Sequence, residues 1–298
     1  MSAERPRILV TGAGGQVGWE LVRALAPMGD VVAPPRAELD LAEPDALRAA
    51  VRRIRPRLVV NAGAYTAVDA AEGDAERAAL VNHTAPGVLA EAAAEAGALM
   101  VHYSTDYVFD GSGTRPYRED DEPSPLGVYG RTKLAGERAV AAAGGAHLVF
   151  RTSWVYGGRG RNFLLTVLRL AREREELRIV ADQRGAPTWS RMVAQGTAAA
   201  VAGLRRGGGF VLPDGAEGVY HMTAAGETTW HGFAEAALRL DPDRAGHRAS
   251  RVAPISSAEY PTPARRPAYS VLDNGRLARV LGVALPEWEE QLRLCLAP

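Results

Sequence analysis

The stretch ILVTGAGGQVG, residues 8–18, has the pattern of a buried strand, a glycine turn and the start of a helix. Ile8–Val10 is an uninterrupted apolar run, as is usual for a strand that is covered on both faces of a parallel sheet. Gly12, Gly15 and Gly18 follow at a spacing of three, and helical periodicity begins among them. This order predicts the first β–α unit of a parallel α/β sheet.

Outward from this unit, apolar runs alternate with amphipathic or alanine-rich segments. Strands are predicted at 31–33, 57–60, 99–103 and 147–151, and helices at 17–25, 44–54, 78–96 and 129–143. The alternation predicts a doubly wound parallel (Rossmann) sheet, mainly within residues 1–155. Beyond it the rhythm is less regular, with a helix at 163–174 and a short strand at 178–180. We expect residues 156–298 to form mainly a smaller substrate-binding lobe, with some segments returning to the first domain.

Composition excludes several classes of function. The 298 residues include 35 basic and 35 acidic side chains, so the chain lacks the basic excess of a non-specific nucleic-acid binder. The lone Cys295 allows no internal disulfide, the six histidines lack metal-ligand spacing, and His102 on its apolar strand is expected to be packed. No signal peptide or membrane-length apolar run is evident. We expect a cytoplasmic protein that binds no metal, nucleic acid or membrane.

The glycine turn indicates a dinucleotide. Its spacing differs by one residue from the G-x-G-x-x-G fingerprint, but the physical role is the same. Glycine allows the tight turn, the approach of a pyrophosphate and close packing of helix on strand, and the helix N-terminus offers N–H groups to the phosphates. A purely structural turn is the alternative.

The end of the second strand indicates which cofactor is used. An acidic residue there would bind the ribose 2′-hydroxyl, whereas the sequence has Pro34-Pro35-Arg36. We therefore expect NADPH, held through Arg36, with NADH possible; the alternative is an exposed arginine that contacts nothing. Asp40 and Leu41 are placed for the adenine side, and the strand beneath the cofactor ends in Ala62, Gly63 and Ala64.

The candidate catalytic pair is Tyr129 and Lys133, four residues apart and hence on one face of a helix. An ammonium close to a phenol lowers its pKa, so the tyrosine could protonate a carbonyl oxygen while hydride arrives at its carbon. Thr105, at the end of a strand, could bond the same oxygen, and Lys133 could anchor the nicotinamide ribose. Such a pair alone is common on exposed helices; the glycine turn makes it specific.

The whole chain, from about residue 8 to 288, resembles the dTDP-4-dehydrorhamnose reductase family. The resemblance is carried by GQVGWEL, NAGAYTAVDAAE, HYSTDYVFDG, SPLGVYGRTKLAGE, FRTSWVYG, DQRGAPT and YPTPARRP. It implies reduction of dTDP-4-dehydro-L-rhamnose to dTDP-L-rhamnose, with Tyr129 as proton donor, Lys133 as its partner and Thr105 as the tuning hydroxyl. It also implies sugar-nucleotide contacts at Asp106 and Trp154. The implied cofactor positions are Gly15, Gln16, Val17, Asp40, Leu41, Ala64, Tyr65, Thr66 and Tyr103.

Two positions depart from the family pattern. In some relatives glutamates at a subunit interface bind magnesium; Glu20 matches one of them, but Arg191 stands where another would be. A cation beside arginine is disfavoured, so a magnesium-bridged dimer is not expected, and monomer or homodimer stays open. The other departure is the segment 34–36, where some relatives carry an aspartate.

The substrate end needs cations for a diphosphate and polar or flat groups for sugar and base. Arg266, beside Arg265 in a proline-stiffened loop, could clamp phosphate. Trp154, Asn162 and Gln183 could contact sugar or base. The alternatives are a core tryptophan and solvated arginines.

Three functions remain open at this point. The first is the reductase. The second is an epimerase or dehydratase with tightly held NAD; a dehydratase needs acids beside Thr105, and Asp106 supplies one but Tyr107 follows it. The third is a non-catalytic regulatory subunit, as in methionine adenosyltransferase, which predicts a damaged Thr–Tyr–Lys set.

Overall fold

The structure is a computed structural model that describes residues 5–297. Its strands are β1 Arg7–Thr11, β2 Asp30–Val32, β3 Leu58–Asn61, β4 Leu99–Thr105, β5 His147–Thr152, β6 Val155–Tyr156, β7 Glu176–Val180, β8 Arg184–Gly185, β9 Thr188–Trp189, β10 Arg205–Arg206, β11 Gly209–Phe210, β12 Gly218–His221, β13 Thr228–Thr229 and β14 Arg251–Ile255. Its helices are α1 Gln16–Leu25, α2 Pro44–Ile54, α3 Val68–Ala71, α4 Ala75–Ala79, α5 Ala85–Glu95, α6 Val128–Ala142, α7 Phe163–Glu173, α8 Ser190–Gly203, α9 Trp230–Leu240, α10 Gly275–Leu281 and α11 Trp288–Leu296.

Six parallel strands form the main sheet, in the order β12-β5-β4-β3-β1-β2. Consecutive strands cannot be joined by tight turns when they run parallel, so helices cross over the faces. Because all the strands point the same way, their carboxyl ends lie at one edge, where a doubly wound sheet binds ligands. The predicted fold class is confirmed.

Both faces of the sheet are covered, as the apolar runs require. In β1, Ile8 and Val10 pack on one side with Leu21 of α1, and Leu9 packs on the other with Leu47 of α2. These three apolar side chains of β1 are fully buried. Burial on alternating sides explains why the strand is a continuous apolar run rather than an alternating one.

Two segments of the C-terminal half complete the N-terminal sheet. Helix α8 packs on α1, and β12 pairs with β5 as the sixth strand. The remainder builds a second core between α7, α9 and α11, centred on Tyr156, Phe233 and Leu292. A parallel pair, β7 with β14, lies beside it. The boundary near residue 155 between two domains stays a prediction.

The long helix predicted at 78–96 is interrupted. A π-helical turn, Leu80–Thr84, separates α4 from α5. Within it the buried Asn82 accepts a hydrogen bond from the Tyr65 backbone at 2.8 Å and donates to Thr132 of α6 at 3.2 Å. The extra residue in the turn lets the Asn82 amide reach both partners, a use of π-turns that recurs at functional sites.

Gly12 and Gly18 allow the close approach of the first strand, the first helix and the end of β3. A Cβ on Gly18 would lie 2.1 Å from the Gly12 carbonyl oxygen, and one on Gly12 would lie 2.4 Å from the Gly63 nitrogen. Gly12 also has φ +72°, which favours glycine. Within residues 5–297, no helix combines the length and apolar character needed to cross a membrane.

We expect Gly18→Ala to destabilise the protein by about 1–3 kcal/mol, because the new methyl group meets backbone that cannot move aside. Gly14→Ala is the matched control: its Cβ has open space around it, so the melting temperature should hold or rise slightly. Thermal melts of both variants make the comparison. Equal melting temperatures would contradict the role given to Gly18.

Candidate active site

A cleft of about 1240 Å³ opens at the carboxyl ends of β1, β3 and β4. Its volume exceeds the roughly 300–1,000 Å³ of one small-molecule pocket, as a dinucleotide plus a second ligand would require. Most of the residues predicted from the sequence line it: Gly12, Gly15, Gln16, Val17, Arg36, Asp40, Leu41, Ala62, Gly63, Ala64, Tyr65, Thr66, Tyr103, Thr105, Asp106, Tyr129, Lys133, Trp154 and Asn162.

The glycine turn presents backbone to this cleft. Gly15 is the N-cap of α1 and has no capping side chain, and no acidic residue stands in the first turn of the helix. A Cβ on Gly14 would meet nothing within 4 Å. The turn therefore offers open space and an uncapped, partially positive helix end, which fits the pyrophosphate of a dinucleotide.

Tyr129 and Lys133 lie on the face of α6 that packs against β4 and the cleft. Burial raises the pKa of Tyr129 to about 12, and the neighbouring Thr105 hydroxyl partly offsets the rise. In the protein alone the net shift of this pKa is upward, opposite in direction to the lowering expected from the lysine, because desolvation outweighs the other influences. The phenol therefore keeps its proton throughout the physiological range.

Lys133 is 2% exposed and its ammonium has specific partners. Its Nζ donates to the Tyr103 carbonyl at 2.5 Å and lies 3.4 Å from Nε2 of His102. Desolvation lowers the pKa of Lys133 to about 8, although Glu137 opposes the shift. His102 is fully buried, and burial together with Lys133 depresses its pKa well below the usual value, so it stays neutral beneath the lysine.

Thr105 is held by Asp106 at the end of β4. Its hydroxyl donates to Asp106 Oδ1 at 2.9 Å and accepts from the Tyr107 backbone N–H at 3.2 Å. Ser153 donates to the other Asp106 oxygen at 2.9 Å. Burial raises the pKa of Asp106, although the hydrogen bonds oppose this. With its proton directed to Asp106, Thr105 would have to rotate to donate to a ketone.

A cluster of charged side chains beyond the end of β2 lines the cleft and consists of Arg36, Asp40 and Arg77. Arg36 Nε is 3.1 Å from Asp40 Oδ2, and Arg77 Nη2 is 3.9 Å from the same oxygen. A hydrogen bond from the Ala42 backbone and these arginines lower the pKa of Asp40. Arg36 remains 70% exposed, so its guanidinium is available to an anionic ligand.

Asn162 links the glycine turn to the loop before α7. Its Nδ2 donates to Gln16 Oε1 at 2.9 Å, while its Oδ1 accepts from the Leu165 N–H at 3.0 Å and caps α7. In the same loop the Arg159 guanidinium lies 3.6 Å from the ring centroid of Trp19. Asn162 thus lines the cleft where the loop before α7 meets the start of α1, and its contact with sugar or base stays a prediction.

Trp154 stacks on Trp230, with ring centroids 3.5 Å apart and planes 5° from parallel, and both indoles line the cleft. Trp154 has φ +46°, one of two non-glycine residues within 5–297 with positive φ. That conformation costs about 1–2 kcal/mol, and such strain tends to concentrate at functional sites.

Three predicted site residues do not line the cleft. Gly18 packs behind the turn against Gly12. Gln183 accepts from the Trp230 indole N–H at 3.1 Å. Arg266 is paired with Asp69, at 2.8 Å from Nη2 to Oδ2, and its role as a phosphate clamp stays a prediction.

Arg191 lies beside Glu20, with Nε 3.3 Å from Oε2, so the arginine already neutralises the carboxylate that would otherwise attract a cation. Across the described chain, residues 5–297, no three His, Cys, Asp or Glu side chains are grouped so as to hold a metal ion.

Sequence reasoning missed Asn82, the support that His102 gives to Lys133, and Trp230. An amide inside an alanine-rich helix was a usable signal for Asn82, and a histidine next to Tyr103 on the strand was one for His102. Trp230 carried no signal, because its contact with Trp154 exists only in three dimensions.

Comparison with known proteins agrees with this geometry. The family model described as the RmlD substrate binding domain matches residues 6–298. A dTDP-4-dehydrorhamnose reductase of Burkholderia thailandensis is 54% identical over 296 residues, which is 97% of this chain and 98% of the relative. Crystal structures of two dTDP-4-dehydrorhamnose reductases are also similar. The one from Clostridium acetobutylicum has a TM-score of 0.88 and 35% identity, covering 97% of this chain and 98% of the other. The one from Bacillus anthracis, in complex with NADP, has a TM-score of 0.88 and 32% identity, covering 98% of each chain. The chain therefore belongs to the RmlD substrate binding domain family, together with these dTDP-4-dehydrorhamnose reductases.

Proposed function

We propose that this chain uses NADPH to reduce the 4-keto group of dTDP-4-dehydro-L-rhamnose, giving dTDP-L-rhamnose. The observation that carries the proposal is the meeting of Thr105, Tyr129 and Lys133 in the cleft that the glycine turn also lines. The names of the relatives at up to 54% identity, and the NADP in one similar crystal structure, support the same substrate and cofactor.

The dinucleotide would lie against the glycine turn, with its 2′-phosphate near Arg36 and its nicotinamide end toward Tyr129. When bound, it supplies the hydride that reduces the carbonyl carbon. The backbone of Gly15, Gln16 and Val17 would hold the pyrophosphate at the uncapped helix end. The ends of β1 and β3 allow close approach here, since side chains at Gly12 and Gly63 would collide with their neighbours.

Tyr129 is the proton donor. Its pKa of about 12 keeps the phenol protonated before reaction, as a general acid must be. As negative charge develops on the ketone oxygen, the proton passes from Tyr129 Oη to that oxygen and leaves a phenolate. Thr105 orients the hydroxyl, and Asp106 fixes Thr105.

Lys133 stabilises that phenolate as a fixed positive charge one helical turn away. Its hydrogen bond to the Tyr103 carbonyl fixes its position, and the neutral His102 beneath it adds no competing charge. The ammonium form is needed, so the lysine acts only below its own pKa of about 8.

The competing functions fit the site less well. A dehydratase needs a second acid beside Thr105, but Tyr107 stands there, with its ring 5.6 Å from that of Tyr129. A regulatory subunit has no need for an intact proton-donating set.

We keep the cytoplasmic location, based on the single cysteine, and the monomer or homodimer as predictions.

Tyr129→Phe should lower kcat by a factor of about 10²–10⁴, because the general acid is lost, while NADPH still binds. Tyr156→Phe is the matched control: it removes a buried hydroxyl that has no hydrogen-bond partner and does not line the cleft. Consumption of NADPH with dTDP-4-dehydro-L-rhamnose, measured by absorbance, gives the rate. Near-normal turnover in Tyr129→Phe would rule out this proton donor.

The alkaline side of the pH profile should report Lys133. Its pKa is depressed to about 8, so the ammonium is present below that pH and is lost above it. We therefore expect kcat/KM to be flat below about pH 8 and to fall about tenfold per pH unit above it. Lys133→Met should be slow at every pH and lack this decline. A decline that persists in Lys133→Met belongs to another group.

Arg36→Ala should raise the KM for NADPH by about ten- to a hundredfold and leave that for NADH nearly unchanged, because a charge-assisted phosphate contact contributes about 1.5–3 kcal/mol. Arg52→Ala, which removes another exposed, ion-paired arginine outside the cleft, is the control. Steady-state kinetics with both cofactors test this. An unchanged ratio of the two KM values removes Arg36 from cofactor selection.

A further inference from the structure

We propose that Trp230 holds the stacking position on Trp154 that the base of the substrate nucleotide takes on binding, so that nucleotide binding separates the two indoles. The inference rests on the proposed function, since it requires a substrate that carries a planar base. It adds Trp230 as a residue that controls access to the base site, and Gln183 as the residue that positions Trp230.

One face of the Trp154 indole is permanently covered. A Cβ built on Gly185 would lie 2.5 Å from Cε2 and 2.8 Å from both Cζ2 and Nε1. Near-equal distances to a ring atom and its two neighbours place Gly185 over the ring plane, because an approach at the edge would bring the outer two atoms closer than the inner one. The covering group is backbone of β8, which pairs with β13 and cannot swing aside.

The other face of Trp154 is covered by a side chain that can move. Trp230 lies parallel to it at 3.5 Å, which is the separation of stacked rings and leaves no room for a third one. A base can therefore stack on Trp154 only by taking the place of Trp230. Stacking on an aromatic face is the usual way that proteins hold a base without reading its edges.

Trp230 is held in place by modest contacts. It is the first residue of α9, its indole N–H donates to Gln183 Oε1 at 3.1 Å, and Gln183 Nε2 donates to Ser257 Oγ at 2.9 Å. Phe163 lies on its far side, tilted by 52° with centroids 4.6 Å apart. Because Phe163 blocks a simple slide, Trp230 leaves by rotation, and the bond to Gln183 breaks.

The exchange replaces one stacked pair by another, so its net cost is small. The incoming base regains the stacking that Trp230 gives up, while the diphosphate and sugar add contacts of their own. A ligand without a base cannot stack on Trp154 and therefore leaves the indole pair intact. The pair therefore favours ligands with a base over inorganic or sugar phosphates.

Two stacked indoles at this distance couple their transitions, and where one ring is rotated against the other about the stacking axis the coupling gives a paired positive and negative band in far-ultraviolet circular dichroism. We expect this couplet in the wild type and in Trp288→Phe, whose indole lies outside the cleft, but not in Trp154→Phe or Trp230→Phe. Saturating dTDP should abolish it, whereas pyrophosphate or NADP alone should leave it. Spectra of Trp230→Phe with the same ligands subtract the absorption of the nucleotide.

Affinities for dTDP, measured by calorimetry, should change in opposite directions at the two tryptophans. Trp154→Ala should weaken binding about tenfold, because the stacking surface is lost. Trp230→Ala should tighten it about three- to tenfold, because the competitor is lost, and Gln183→Leu, which keeps both indoles, should tighten it about threefold. If both tryptophan variants weaken binding equally, Trp230 is a wall of the site and the inference is wrong.

The outcomes separate the inference from the function. If dTDP binds and the coupled reductase assay is positive, but the couplet survives saturation, the inference fails and the reductase stands. Loss of the couplet with NADP or pyrophosphate alone would also overturn it. If dTDP does not bind and no NADPH is consumed, the proposed function fails and the inference falls with it.

Discussion

The site depends on a hydrogen bond inside the protein, from Lys133 Nζ to the carbonyl of Tyr103. A lysine that is 2% exposed is stable there only because this carbonyl and the neutral His102 replace water. The bond joins α6 to β4 and so fixes the distance between the helix that carries Tyr129 and the strand that ends in Thr105. The same burial that positions the lysine brings its pKa down to about 8.

The rest of the fold places the π-turn and the glycine turn relative to α6 and β4. The π-turn carries Asn82, whose hydrogen bonds to Tyr65 and Thr132 tie the segment after β3 to α6. The glycine turn sits two strands away along the same sheet edge, because β1 neighbours β3 and β3 neighbours β4. Cofactor and substrate are thus brought together by strand order, whereas the chemistry depends on the contacts of α6.

Features with a local signature could be predicted from the sequence. The strand and turn of residues 8–18 could be predicted because their burial and backbone conformation follow from neighbouring residues in the sequence. The shared helix face of Tyr129 and Lys133 could be predicted from their spacing. Features made by distant contacts could not. Arg266 suggested a free phosphate clamp, but Asp69, far away in sequence, pairs with it. The pKa of Tyr129 rises because packing removes the phenol from water. That packing comes from residues distant in sequence, so no motif predicts the rise.

The hydrogen bond between Gln16 and Asn162 has a kinetic consequence. One partner belongs to a helix seated on the buried sheet, and the other to a loop that contains Gly157, Gly158 and Gly160. The loop side has the greater backbone freedom, because glycines restrict φ and ψ least. An opening of this side of the cleft would therefore be one-sided, with the loop lifting and the helix staying in place, and any step of the reaction cycle that needs the opening would be timed by the loop.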